Sequence, residues 1–407
     1  MDIPYVSLDM DIAIVSPYPP EVTGIGQYGF HASRALANSG QFSRITVLAG
    51  GGAANPIVDA PEPIHVSYSW TPGRLGTGMA ILSALRRTEP DLVWYNIGVS
   101  AFGRSPLSNL FGFISLYIAH LSGLPTVVTL HELVELIDLK TLQAPGGSLA
   151  PIGARLLTNI AIRADVVCLT MRRYANWLSA KHPGLTCIHI PIGAYGMPEY
   201  LTESRSSEIL FFGSLAPYKG LDILINVYAE LASSFPRLQL TIAGADHPRF
   251  PDYRRRLQSR YSDLAGVNWL GTVPEDRIRS LFERAQIVVL PYEASTGSSS
   301  VLYQAAMWGR AMVVSDLEET QAALMESGLK AQLFRARDAA SLSKALVFLL
   351  NHPEHRQAQS AHNFRAIQHR RPDITCAALL QAFNLALEAR RSTKQIEIPA
   401  QSPSELI

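Results

Sequence analysis

The chain has 407 residues, 47% of them hydrophobic and 17% charged, with 35 Lys and Arg against 34 Asp and Glu. That length suits two to three globular domains, and the near-cancelling charge, balanced in both halves, excludes a protein that recruits nucleic acid through a basic field. Three cysteines, Cys168, Cys187 and Cys376, are too scattered for a disulfide framework or a zinc site, so a reducing cytoplasm is the expected compartment.

Residues 1–11 contain Asp2, Asp9 and Asp11 and no apolar core, unlike a secretory signal. Thereafter short β-branched runs alternate with helical patterns. Strands are predicted over 12–16, 45–49, 64–70, 92–97, 126–130, 166–170 and 187–192. This alternation predicts a doubly wound, mostly parallel sheet whose ligand edge lies at the carboxyl ends of its strands. The apolar run 107–124 is broken by Asn109, His120, serines and glycines, so it reads as a buried helix, with a lipid-contacting helix as the alternative. Trp94 and Tyr95 are core residues, Arg172 and Arg173 surface charges, and His182, His189 and His247 surface or backbone-bonding histidines.

Between 191 and 207 prolines, glycines and polar residues break the pattern and mark a linker. Strands then recur over 209–212, 238–243, 267–270, 287–290, 311–315 and 332–334. Leu221, Leu224, Tyr228, Leu231 and Phe235 repeat every three or four residues, the face of a helix packed on a sheet. The expected division is a first domain over 1–198, a second over 199–375, a helix over 376–391 returning to the first domain, and a mobile tail over 392–407.

Four stretches carry chemistry. Gly24-Ile25-Gly26-Gln27-Tyr28-Gly29 matches G-x-G-x-x-G, but seven residues separate it from its strand and no carboxylate ends the second strand, so a nicotinamide dinucleotide is not its ligand. What remains is a glycine loop at a helix start, suited to a phosphate or an acceptor. Thr129-Leu130-His131-Glu132 delivers an imidazole and a carboxylate to a strand's carboxyl end, or is a structural hydrogen-bonding histidine ahead of a solvated helix start at Glu132 and Glu135. In 212–221 a strand feeds the turn at Gly213 and sets Lys219 at a helix mouth, where an ammonium neutralises a diphosphate or merely faces solvent. Gly297-Ser298-Ser299-Ser300 lies between a buried strand and a short helix. It offers free N–H groups to a phosphate, or is simply a serine-capped helix start.

In their order and spacing, GSLAPYKG, LTIAGAD, VNWLGTVPEDRIRSLFERAQIVVLP and TGSSSVLYQAAMWGRAMVVSD resemble the C-terminal half of retaining GT-B glycosyltransferases of the family 4 type. PYPPEVTGIGQYGFHASRALANSG and PTVVTLHE are similar to that family's glycine loop and cleft histidine. The resemblance implies an α/β, GT-B chain: two tandem Rossmann-like domains and a cleft. It implies transfer of a hexose from a nucleotide-sugar to a glycan or lipid-linked acceptor, with retention, no metal and no cofactor beyond the donor itself. Peripheral contact with the inner face of a membrane would accompany a lipid-linked acceptor, and nucleic acid is no partner.

By the same resemblance His131 is the catalytic residue beside the transferred sugar, Lys219 meets the diphosphate, and Gly24, Gly26, Gly213 and Gly297 to Ser300 bind the donor's phosphates. The family's Glu-x7-Glu pair falls on Thr296 and Gln304, and its Gly-Arg on Gly213-Ser214. Gln304 still offers an amide to ribose hydroxyls, whereas Thr296 brings no carboxylate to the sugar, leaving Glu293 as the candidate to reach in. Two alternatives stay open: a degenerate subunit that binds a nucleotide or a partner without chemistry, and a nucleotide-sugar epimerase, which would need further acid–base groups.

Overall fold

The computed structural model describes residues 10–20, 23–51, 60–143, 150–204 and 206–397. A seven-stranded parallel sheet forms from β1 (Met10–Val15), β2 (Phe42–Gly50), β3 (Ile64–Trp70), β4 (Leu92–Ile97), β5 (Thr126–Leu130), β6 (Val166–Leu169) and β7 (Cys187–His189) in the order β3-β2-β1-β4-β5-β6-β7. A six-stranded sheet uses β8 (Glu208–Phe212), β9 (Gln239–Ala243), β10 (Val267–Gly271), β11 (Ile287–Leu290), β12 (Ala311–Ser315) and β13 (Gln332–Phe334) in the order β10-β9-β8-β11-β12-β13. Each sheet reverses direction beside its first strand, between β1 and β4 and between β8 and β11, which is the switch point where doubly wound sheets bind ligands.

Every residue of β4 and of β11 is buried, as in a parallel strand covered by helices on both faces. That is why these strands read as apolar runs, broken only by Asn96 near the end of β4. The helix α6 (Leu221–Ser234) buries Leu221, Leu224, Tyr228 and Leu231 along one face, while Phe235 is its C-cap.

The last helix, α13 (Pro372–Glu397), returns to the first domain. Phe383 meets Phe42 and Trp94 at ring separations of 6.3 and 5.9 Å, and Arg390 pairs with Asp165 at 3.0 Å. This helix overruns the expected start of the tail at 392, because 388–391 are good helix formers and the first breaker is Pro399. Residues after 397 lie outside the described residues.

Two other expectations are corrected. The apolar run forms α3 (Pro106–Leu121), which buries Gly112, Phe113 and Leu116 but exposes Leu107, Phe111, Ile118 and Leu121; it is a two-sided apolar helix. Among the described residues no helix is long and apolar enough to cross a membrane. Arg173 is no plain surface charge, since it pairs with Glu318 and Glu319 of the second domain at 3.0 and 3.5 Å. The backbone N–H of Arg172 likewise donates to Glu326.

Candidate active site

The carboxyl ends of both sheets face one cleft, with a cavity of about 1110 Å³. Ordinary small-molecule sites measure roughly 300–1,000 Å³, so this one has room for two substrates side by side.

On the second-domain wall, the turn after β11 leads into α9 (Ser300–Met307). Two of the serine hydroxyls are held by tyrosines: Ser298 by Tyr303 and Ser299 by Tyr292 at 3.3 Å. Gly297 N–H is shared with Ser295 Oγ at 3.4 Å. The N–H groups of Ser298, Ser299 and Ser300 have no protein acceptor among the described residues, and all three residues line the cavity. Free amides at the positive end of a helix form an anion site. Gly297 itself is needed for close approach, because a Cβ there would sit 2.6 Å from the carbonyl oxygen of His131. The turn is thus pressed against the first domain.

Lys219 ends a one-turn 3-10 helix over Pro217–Lys219. The next residue, Gly220, has φ +68, and a Cβ on it would fall 1.8 Å from the carbonyl oxygen of Pro291. Only glycine lets the lysine turn dock on the end of β11. The Lys219 ammonium then lies 3.6 Å from the centre of the Tyr292 ring, a cation–π contact. Burial in the cleft lowers its pKa, so an anion brought beside it would restore what desolvation removes. Gly213, at φ +130, and Gln304 also line the cavity.

The first-domain wall supplies the histidine. His131 Nε2 lies 2.6 Å from Asn96 Oδ1. The Asn96 amide nitrogen donates to Ser16 Oγ at 2.9 Å and to the carbonyl of Ile25 at 3.0 Å, which turns its oxygen toward the imidazole. Nε2 therefore carries the proton and Nδ1 is the acceptor. Burial pushes the His131 pKa down to about 3, so the ring is neutral at any ordinary pH. Its neighbour Glu132 also faces the cavity. Glu132 Oε1 accepts the Val99 N–H at 3.0 Å, the Thr296 side chain lies near the carboxylate from across the domain boundary, and burial raises its pKa.

Gly24 lines the cavity, with no atom within 4 Å of where its Cβ would be. Two expected site residues fall outside it. The N–H of Gly26 donates to Thr23 Oγ1 at 3.0 Å, closing the N-cap of α1 (Gly24–Asn38), and so has no donor left for a phosphate. Glu293 turns away and pairs with Arg337 at 3.2 Å. Successive residues of an extended segment point to opposite sides, and Tyr292 takes the side that faces the cleft. Thr296 does line the cavity, with its side chain near the Glu132 carboxylate.

Several cleft residues were not singled out from sequence. Arg104 donates to the carbonyl of Pro248, and Arg249 to those of Leu142 and Gln143 at 2.9 and 3.3 Å; each arginine reaches across to the other domain. His247, expected at the surface or on a backbone group, lines the cavity, its Nδ1 accepting the Arg249 N–H at 3.2 Å. Burial, aided by Arg249, Lys219 and Arg104, drives its pKa to about 4. The first-domain wall beyond is apolar, with Leu107, Leu110, Ile152 and Leu156. The sequence signal was there only for Asn96, a polar residue at the end of an apolar strand.

Residues 206–352 match the family model described as "Glycosyl transferases group 1". The fold is similar to sucrose-phosphate synthase from Thermosynechococcus elongatus (TM-score 0.74, 16% identity, 93% of this chain and 100% of that one). The chain is a glycosyltransferase of the GT-B fold. Anabaena HepE in complex with UDP-glucose is a second structural neighbour, with a TM-score of 0.67 and 17% identity over 92% of the glycosyltransferase and 100% of that chain. By sequence the glycosyltransferase is 24% identical to the phosphatidyl-myo-inositol mannosyltransferase of Mycolicibacterium smegmatis, over 92% of its length and 93% of the relative's. It is 27% identical to D-inositol 3-phosphate glycosyltransferase 2 of Catenulispora acidiphila, over 94% and 95%.

Proposed function

We propose that this enzyme moves a hexose from a nucleoside-diphosphate sugar to a phosphorylated, lipid-linked acceptor, with retention of anomeric configuration and without a metal. The observation that carries the reading is the set of free amides at Ser298 to Ser300 beside the Lys219 ammonium. Together they supply the positive charge that a departing diphosphate needs, with Gln304 on the nucleoside side and His131 accepting a sugar hydroxyl at Nδ1.

Inversion requires a general base in line behind the anomeric carbon, matched to working pH. A histidine with a pKa near 3 is a poor one. In our reading the acceptor hydroxyl attacks from the side the diphosphate leaves, and a diphosphate oxygen takes its proton. Closure of the two domains would keep water from the donor.

The acceptor class follows from the rest of the cleft. Arg104 and Arg249 bond only carbonyls among the described residues, leaving N–H groups for an acceptor phosphate. The apolar side chains beyond them suit a hydrocarbon chain, and two full-length relatives are named for inositol phospholipid and inositol phosphate chemistry. The exposed apolar residues of α3 continue onto Met79 of α2 (Thr77–Thr88) and Ile152 and Leu156 of α4 (Ala150–Ala161). These three helices carry Arg86, Arg87 and Arg155 and no Asp or Glu, a face suited to an anionic bilayer.

The test is release of nucleoside diphosphate from UDP-glucose and GDP-mannose, with phosphatidylinositol vesicles, soluble inositol phosphate or neutral glycans as acceptors. Release should depend on a phosphorylated acceptor. Binding of UDP or GDP with no release under any pairing would overturn the proposal.

A further inference from the structure

We propose that Glu132, although it belongs to the first domain, holds the hydroxyls of the donor's hexose, and that it does so only when the two domains are closed on each other. The inference rests on the donor reading above and adds the residue that recognises the sugar.

A nucleoside-diphosphate sugar presents two chemically different surfaces. The diphosphate needs donors and positive charge, while the hexose presents hydroxyl groups whose hydrogens need acceptors. A carboxylate is the strongest acceptor a side chain offers, because bonds to an ionised group are about twice as strong as neutral ones. Among the described residues that line the cavity, carboxylates come from Glu132 and Glu275. Glu275 lies 3.4 Å from His31 Nε2, on the side where His31 stacks on Tyr195.

Glu132 lies where the sugar has to be. It follows His131, whose carbonyl oxygen is the atom that Gly297 packs against, so it stands beside the first residue of the turn with the free amides. Its position is fixed from two directions. Oε1 takes the Val99 N–H at 3.0 Å, and a Cβ on Gly98 would come within 2.7 Å of the same oxygen; the absence of a side chain there makes room for the carboxylate. The other neighbour is the Thr296 side chain, and it comes from the opposite domain. An ionised carboxylate has about four lone-pair sites, so the bond from Val99 leaves capacity for a pair of sugar hydroxyls.

The arrangement has a consequence for order of events. The diphosphate grip lies wholly on the second domain and operates whether the cleft is open or shut. The sugar grip is split between domains, since the carboxylate is carried by the end of β5 and the turn by the end of β11. Sugar identity is therefore read on closure, after the nucleotide has docked.

The experiment measures, by calorimetry on the full chain, affinity for UDP-glucose and GDP-mannose against UDP and GDP. Glu132→Gln keeps the shape and an acceptor for Val99 while removing the charge. It should weaken whichever nucleotide-sugar the native protein prefers by tenfold or more, and leave the matching nucleoside diphosphate within about twofold. Adding Thr296→Glu to that variant returns a carboxylate to the same place from the other domain and should recover most of the loss. Glu132→Asp, which keeps the charge but withdraws it by one bond, serves as the second variant if the amide fails to fold and should show the same selective loss. Equal loss of sugar and diphosphate binding would mean that Glu132 only holds the loop at Val99, and unchanged binding of both would mean that it touches no sugar; either result overturns this inference alone. Native protein that binds none of the four ligands would overturn the donor reading with it.

Discussion

The two domains share one strand order and face each other across one cleft, yet they equip it differently. The second-domain wall works mostly through its backbone: amides at Ser298 to Ser300, a glycine that lets a turn dock, and one ammonium. The first-domain wall works through side chains: an imidazole, a carboxylate, an arginine and a run of leucines and isoleucines. On the proposed reading the second-domain wall meets a diphosphate, which is the same in every donor, and a backbone turn suffices for it. Sugar and acceptor vary, and varying side chains on a fixed sheet edge is the simplest way to follow them.

The sharpest way to break this contrast is at Lys219. In Lys219→Ala the affinity for UDP or GDP should fall about 10- to 100-fold, as expected for removal of a charge-assisted contact, while Tm stays level or rises because a desolvated ammonium is gone. Calorimetry and a thermal melt check both, and unchanged affinity would take the lysine out of the donor site.

The first-domain face gives the next effect. Leu107→Ser with Phe111→Ser should reduce co-sedimentation with anionic vesicles by about tenfold and leave UDP and GDP binding untouched. Equal loss of both would mean that the walls are not independent.

Acid sensitivity should follow the buried histidines. His131, His247 and His31 are held neutral in the fold, at about 3, 4 and 4, against about 6.5 in the unfolded chain. Below pH 6.5 the unfolded state takes up protons that the folded state refuses, so stability present above that pH is lost progressively toward pH 4. Melts across this range should show a falling Tm, less steep in His247→Asn, whose amide oxygen can still accept the Arg249 N–H. A parallel slope would exclude His247 from the effect.

The smallest effect tests whether amides or hydroxyls grip the phosphate. Ser299→Ala removes the bond to Tyr292 but no backbone donor, and should change affinity for UDP or GDP less than about threefold. A loss as large as that of Lys219→Ala would shift the grip to the hydroxyl.

How much of the site could be read in advance divides along the same line. The phosphate turn and Lys219 were legible because each is local: a strand, a glycine and the first turn of a helix lie within ten residues of one another. Glu293 was misplaced because its neighbour Tyr292, an aromatic that cradles the ammonium, takes the cleft-facing side of the strand end. Gly26 fell out because Thr23 had already claimed its N–H. The meetings that Glu132, Arg104 and Arg249 make across the cleft were opaque for another reason. Their partners, Thr296, Pro248 and Leu142, lie more than 100 residues away in the chain, and no spacing pattern reports such a meeting.

The sequence by itself determined two doubly wound sheets and a serine turn with open amides, because buried parallel strands are mostly apolar and a tight turn into a helix must expose its amides. Only the tertiary structure decided which side chains share the cleft, that a carboxylate from one domain lies near a threonine of the other, and that the second face of α3 stays uncovered. Those outcomes depend on how two sheets far apart in the chain are set against each other, an arrangement that the return of α13 across the first domain helps to hold.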